Sequence, residues 1–248
     1  MRVMIRVAYD GTGYCGWQIQ PNAVTVEGVL REALTGLFGQ ELNVIGASRT
    51  DAGVHAMGNV AVFDVETRIL PEKIAYALNA RLPQDVKVVE SRVVKDDFHP
   101  RHVDCVKTYE YSIWNDTFEN PKERLYCHFD YGKLDIDKMN EACGYFIGEH
   151  DFSSFCAAGT QVEDKVRTIY SLDVRCEGKK IIIRVTGNGF LYNMVRIIAG
   201  TLLKVGKGDI LPYEIENIIA GRDRQLAGPT APARGLTLYR IEYKEADL

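Results

Sequence analysis

The run Arg49-Thr50-Asp51-Ala52-Gly53-Val54-His55-Ala56 places an acid, a guanidinium, an imidazole and a glycine in one short connection between two alternating apolar stretches. Folding alone does not ask for that combination, since a turn needs glycine or asparagine and solubility needs only charge. A carboxylate two residues after an arginine and two before a glycine is suited to moving a proton or attacking carbon. Asp51 is the first candidate for chemistry, with Arg49 beside it. A second run, Thr186-Gly187-Asn188-Gly189-Phe190-Leu191-Tyr192-Asn193-Met194-Val195-Arg196, takes a strand through a glycine turn into a helix. There Arg196 sits among Val195, Ile197, Ile198 and Ala199. Either it meets an anion, because an unpaired buried charge is strongly destabilising, or it snorkels to solvent at the helix edge.

Period-2 alternation in Lys107-Thr108-Tyr109-Glu110-Tyr111-Ser112-Ile113-Trp114 puts Tyr109, Tyr111 and Ile113 on one strand face. Such aromatics either pack as core or offer flat surfaces to stacked bases. Gly11-Thr12-Gly13-Tyr14-Cys15-Gly16 spells a dinucleotide fingerprint, yet Trp17-Gln18-Ile19-Gln20-Pro21 follows it with no helical period. No helix N-terminus would meet the phosphate, so a glycine-rich turn is the plainer reading. Ser153 or Ser154 with His150 and Asp151 lacks a nucleophile elbow, and Cys156 reads as a small hydrophobe. The six cysteines form no C-x-x-C pair, and His99 with His102 has no cysteine beside it. Neither a metal site nor a disulfide framework is expected, and the thiols should be reduced and mostly buried.

The elements that must hold these residues follow from periodicity. A strand is predicted over 2–10, and a helix over 26–38 capped by Thr25 and stopped by Gly39. Strands follow at 42–47 and 59–65, a helix begins at Pro71, and a strand covers 86–94. The order is β-α-β-β-α-β. It returns with a strand at 107–114, a helix at 135–147, strands at 168–176 and 180–186, helices at 190–205 and 212–220, and a last strand at 236–243. The expected fold class is α+β, with two ferredoxin-like halves of antiparallel sheet and a groove between them as the natural site. Residues 1–104 form the N-terminal half with the Asp51 loop, and 105–248 the C-terminal half that completes the cleft.

The chain has 248 residues, 46% of them apolar, enough for a sizeable core. Its alternating start, Met1-Arg2-Val3-Met4-Ile5-Arg6, offers no apolar run for a signal peptide or a spanning helix, so a cytoplasmic protein with no membrane partner is expected. A net charge of −4 opposes contact with phosphates except through local patches. The candidates are Lys165 with Arg167, Lys179 with Lys180, Lys204 with Lys207, Arg222 with Arg224, and Arg101 with Lys107. Each is otherwise a solvated face.

Taken in order, Tyr9-Asp10-Gly11, Gly16-Trp17-Gln18, Arg49-Thr50-Asp51-Ala52-Gly53-Val54-His55, Asp97-Phe98-His99-Pro100-Arg101, Tyr109-Glu110-Tyr111 and Asn193-Met194-Val195-Arg196 closely resemble the tRNA pseudouridine synthase A family. The resemblance runs from Arg2 to about Tyr243. It implies two α+β halves around a positively lined, central RNA-binding cleft, and a homodimer that converts uridine to pseudouridine, without cofactor, in the anticodon arm of tRNA. The targets are the last loop nucleotide and the first two of the stem on the 3′ side. It also implies Asp51 as the catalytic aspartate, Arg196 as the arginine paired with it, and Tyr109 as the ring against the target base. Arg49 would help extrude the nucleotide, and Arg101 joins the substrate-binding set. Ser48 stands where the family usually has glycine, which could alter the loop's backbone angles, and Pro100 replaces a common alanine. The alternatives are a non-catalytic RNA-binding module and a nucleotide-cofactor enzyme built on the 11–16 turn.

Overall fold

A computed structural model describes residues 1–159 and 162–248. The chain is α+β and forms two compact units, Met1–Cys105 with Thr237–Leu248, and Val106–Leu236.

The first unit opens with β1 (Arg2–Tyr9) and α1 (Val26–Phe38), continues through β2 (Ile45–Gly46), β3 (His55–Asp64) and α2 (Pro71–Asn79), and reaches β4 (Val86–Val94). The strands lie in the order β4-β1-β3, antiparallel throughout, with β2 antiparallel on β3. Local chemistry sets the helix limits. The Thr25 side chain accepts the Gly28 amide at the start of α1, and Gly39 ends it at φ +71, a conformation glycine adopts without steric cost. Pro71 opens α2, and Ser91 of β4 stitches that helix to the sheet by accepting from Ala75 N and donating to the Pro71 carbonyl. Across β1 and β3, Arg2 grips Asp64 through two N–H groups at 2.9 and 2.8 Å, holding that carboxyl below its usual range. Val3, Ile5, Val7, Leu30, Leu34, Val60, Ile74 and Leu78 are fully buried beneath this sheet and its helices.

Two expectations change here. The strand foreseen over 42–47 shrinks to Ile45 and Gly46, paired with Val62 and Ala61, and the Trp17 indole lies against Gly46 where a Cβ would strike it. Strand β3 begins at His55 rather than 59, so the end of the Asp51 run is already sheet.

The second unit contains β5 (Cys105–Asn115), β6 (His128–Asp130), α3 (Ile136–Gly144), β7 (Gly148–Asp151), β8 (Val166–Glu177), β9 (Lys180–Gly187), α4 (Met194–Lys207) and α5 (Glu214–Gly221). Strands run β5-β9-β8-β7 antiparallel, with β6 parallel on β5. Helix α4 is almost wholly buried, and Gly200 and Gly206 let the segment at Pro229 and the side chains of Leu134 and Met139 come close. Periodicity missed β6 and β7, which are too short to show it. The helix foreseen to 147 stops at Gly144, and α4 starts at 194 rather than 190 because Asn193 is left-handed.

The last strand, β10 (Leu236–Tyr243), returns to the first unit, pairing parallel with β3 at Thr237 with His55 and Leu238 with Ala56. The first unit thus runs through Cys105 and includes residues 237–248, which lie at the far end of the chain. Sequence order cannot reveal that return, since strand pairing is decided by register and buried faces.

Candidate active site

The loop carrying Asp51 leaves β2 and enters β3, and its flanks are fixed by buried polar groups of the first unit. Thr50 is held twice, through its hydroxyl 2.7 Å from the Tyr9 hydroxyl and through its carbonyl, which accepts the Trp17 amide at 3.0 Å. Asn59, fully buried in β3, donates to the Ser48 carbonyl at 3.1 Å. The Val54 amide closes a turn on the Asp51 carbonyl at 3.1 Å, with Gly53 at φ +76. His55 is buried, and its Nδ1 accepts the Gly11 amide at 3.1 Å with Asp10 Oδ1 3.2 Å away.

The glycine turn at 11–16 is the scaffold of this loop. Only a short 3₁₀ turn, Gly11–Gly13, follows β1, and Asp10 accepts the Thr12 amide. A Cβ on Gly11 would lie 2.0 Å from the Val54 carbonyl oxygen, and one on Gly16 would lie 2.5 Å from that of Thr50. The glycines are there because two backbones touch. Ser48, where the resemblance would place glycine, has no positive φ and is buried, so its backbone is unstrained there.

Against this rigid backdrop Asp51 is half-buried and Arg49 exposed. Arg101 is exposed on the loop after β4, whose course is pinned by Tyr243 Oη donating to the Pro100 carbonyl at 2.7 Å and by Arg2 donating to that of Phe98 at 3.0 Å. His99 and His102 stack at 3.8 Å beside it, and burial, aided by the nearby positive groups of His102 and Arg101, keeps the His99 imidazole less basic than usual.

Tyr109 and Arg196 belong to the second unit. Tyr109 is buried on the face of β5 it shares with Tyr111 and Ile113, and it meets Phe190 edge-on at 5.2 Å. Arg196, half-buried on α4, donates through Nε to the Ala231 carbonyl and through Nη1 to Asn193 Oδ1, both at 2.7 Å. Tyr111 Oη donates to the next carbonyl, Pro232, at 2.9 Å. Among the candidates, the first unit thus carries Asp51, Arg49 and Arg101, and the second carries Tyr109 and Arg196. Sequence reasoning passed over Asn193, Asn59 and Tyr9 as supports. The polar Asn59 immediately before the apolar run Val60-Ala61-Val62-Phe63 was the available signal.

The other candidates take ordinary roles. Ser153 Oγ donates to Asp151 at 2.6 Å while the His150 ring bonds the Ile147 carbonyl, so no triad forms there. Lys179 pairs with Asp116, Lys180 with Glu123, Lys207 with Asp130 and Arg222 with Asp151, which leaves these patches less positive than their spelling suggests. Cys127, Cys143 and Cys156 are buried, Cys105 is intermediate, and Cys15 and Cys176 are exposed, so half the thiols, not most, are inside. Among the described residues no group of three or more His, Cys, Asp or Glu could hold a metal ion, and no helix is long and apolar enough to cross a membrane.

A family model described as tRNA pseudouridine synthase matches residues 5–102 and 142–244. A protein of Thermoanaerobacter sp. (strain X514) named tRNA pseudouridine synthase A is 50% identical over 242 residues, covering 97% of this chain and 99% of the relative. One of Bacillus pumilus (strain SAFR-032) with the same name is 47% identical over 246 residues, covering 98% and 99%. Among solved structures, "Crystal Structure of a Cbf5-Nop10-Gar1 Complex" overlaps 81% of this chain and 45% of that one at 16% identity and TM-score 0.36, a likeness too loose to bear on function. The chain belongs to the tRNA pseudouridine synthase family, and by that membership is an isomerase converting uridine to pseudouridine in tRNA.

Proposed function

We propose that the uridines isomerised lie in the anticodon arm, at the last loop nucleotide and the adjoining first two stem nucleotides on its 3′ side, and that Asp51 carries the chemistry. Pseudouridine formation breaks the N1–C1′ bond, turns the uracil and joins C5 to C1′, so atoms and electrons are conserved and no cofactor is called for. In one route the Asp51 carboxylate attacks C1′ as uracil leaves, and C5 later displaces it. In the other it takes the C2′ proton to give a glycal, C5 adds to C1′, and the proton returns to C2′. Both end with the C5 proton released and N1 protonated.

The observation that supports Asp51 is its setting. A half-buried carboxylate stands on a loop whose neighbours Ser48, Thr50 and Val54 are hydrogen-bonded into the fold, so its position costs little to maintain during reaction. In this reading Arg196 pairs with the catalytic carboxylate and favours its ionised form, Tyr109 packs against the flipped base, and Arg49 and Arg101 hold the nucleic acid. The strand order β4-β1-β3-β2 of the first unit fits a ferredoxin-like half, and the second unit is read as its counterpart, the pair forming the RNA-binding cleft. Two copies associate as a homodimer in the cytoplasm, and sedimentation of the purified protein as a monomer at micromolar concentration would remove that part.

The deciding assay is unmodified tRNA transcript with pseudouridine mapped by position. Asp51→Ala and Asp51→Asn are expected to bind tRNA nearly as the parent does while losing on the order of a thousandfold or more in kcat. Product from Asp51→Ala at the parent rate would refute the role of Asp51, and product outside the anticodon arm would refute the target.

A further inference from the structure

Asn193 precedes α4 at φ +60, and among the described residues only Asn22 and Arg222 share a positive φ without being glycine. An asparagine at this place ordinarily has extended backbone and turns its side-chain oxygen onto an amide of the first turn. Asn193 does neither: its backbone is left-handed and its side chain makes no capping bond. The oxygen instead accepts from Arg196 Nη1 at 2.7 Å.

The same guanidinium is fixed on another edge. Its Nε donates to the Ala231 carbonyl, and the Ala231 amide donates back to the Arg196 carbonyl at 3.1 Å. These two acceptors are neutral, so they set the plane of the guanidinium and neither cancels its charge. A turn needing only left-handed backbone would be served best by glycine. Asparagine tolerates that conformation and also brings an oxygen to within reach of the residue three positions on. An aspartate would reach as far, but it would neutralise the cation.

We propose that Asn193 is a positioning residue whose amide oxygen orients the Arg196 guanidinium while leaving its charge available to the catalytic carboxylate. The proposal rests on the reading of Arg196 as that carboxylate's partner. Asn193→Gly keeps the left-handed turn and removes the oxygen. Its melting temperature should not fall and its KM for tRNA should stay within about twofold, while kcat drops about tenfold, the effect of losing one charge-assisted hydrogen bond. The acid limb of its kcat profile should move to higher pH, because a poorly held cation favours the ionised carboxylate less. Asn193→Asp, which preserves shape, should lose at least as much kcat and shift the acid limb further.

Parent kcat and an unmoved acid limb in both variants would overturn the proposal. So would losses that merely follow a lowered melting temperature. Arg196→Ala separates the two readings. If it retains activity, the role of Arg196 fails and this inference with it. If it is inactive while Asn193→Gly matches the parent, only the inference about Asn193 fails.

Discussion

Thr50 is the fixed point between the two residues proposed for the chemistry. Its hydroxyl meets Tyr9 and its carbonyl meets the Trp17 amide, while Arg49 before it is exposed and Asp51 after it half-buried. Tyr9 is 5% exposed, and its hydroxyl is also 3.4 Å from the Asn59 amide nitrogen, so removing it strands more than one buried group. Tyr9→Phe is expected to cost about 1–2 kcal/mol, the penalty for unsatisfied buried partners. Denaturant unfolding reads that loss. Steady-state assays on tRNA should show kcat falling with KM little changed, because what loosens is the placement of Asp51 rather than contact with the substrate.

At the scale of elements, the loop is only as good as the turn beneath it. Gly11 and Gly13 sit two residues apart in one motif, yet a Cβ at Gly11 would strike the Val54 backbone while one at Gly13 would meet nothing within 4 Å. Gly11→Ala should lower stability by about 1–3 kcal/mol through forced backbone movement and depress kcat with it. Gly13→Ala should leave both within about 0.5 kcal/mol and twofold, as expected of an open site. Equal damage from both substitutions would show that the turn does something besides support the loop. The same contrast explains why the G-x-G-x-x-G spelling misleads: a pattern of glycines records where backbone comes close, and here the partner is the protein's own chain rather than a phosphate.

At the scale of the whole molecule, the chain ends where it began. Strand β10 brings residues 237–248 back to the unit that holds Asp51, with Leu238 and Ile241 fully buried and the Ile241 carbonyl accepting from Arg6 at 3.1 Å. Ile241→Ala is expected to cost about 2–4 kcal/mol from lost burial and the cavity left behind. Hydrogen exchange should show the loss of protection across β1, β3 and β10 together, and protection retained in β3 would contradict the pairing. Net charge acts at this scale as well. Lys179, Lys180, Lys207 and Arg222 are already paired to carboxylates, whereas Arg49 and Arg101, the residues proposed to meet tRNA, are exposed.

What the sequence determined by itself was everything written in local terms. The period of β1 and α1, the Thr25 cap and Gly39 stop, the alternation that buries Tyr109 and Tyr111, and the Arg49 to His55 string could all be read because each depends on residues a few positions apart. Tertiary structure alone decided which backbone Gly11 and Gly16 must clear, that β10 pairs with β3, that Asn59 and Tyr9 carry the Asp51 loop, and that Asn193 serves Arg196 instead of its own helix. These depend on groups brought together by burial and register, and spacing along the chain holds no record of them.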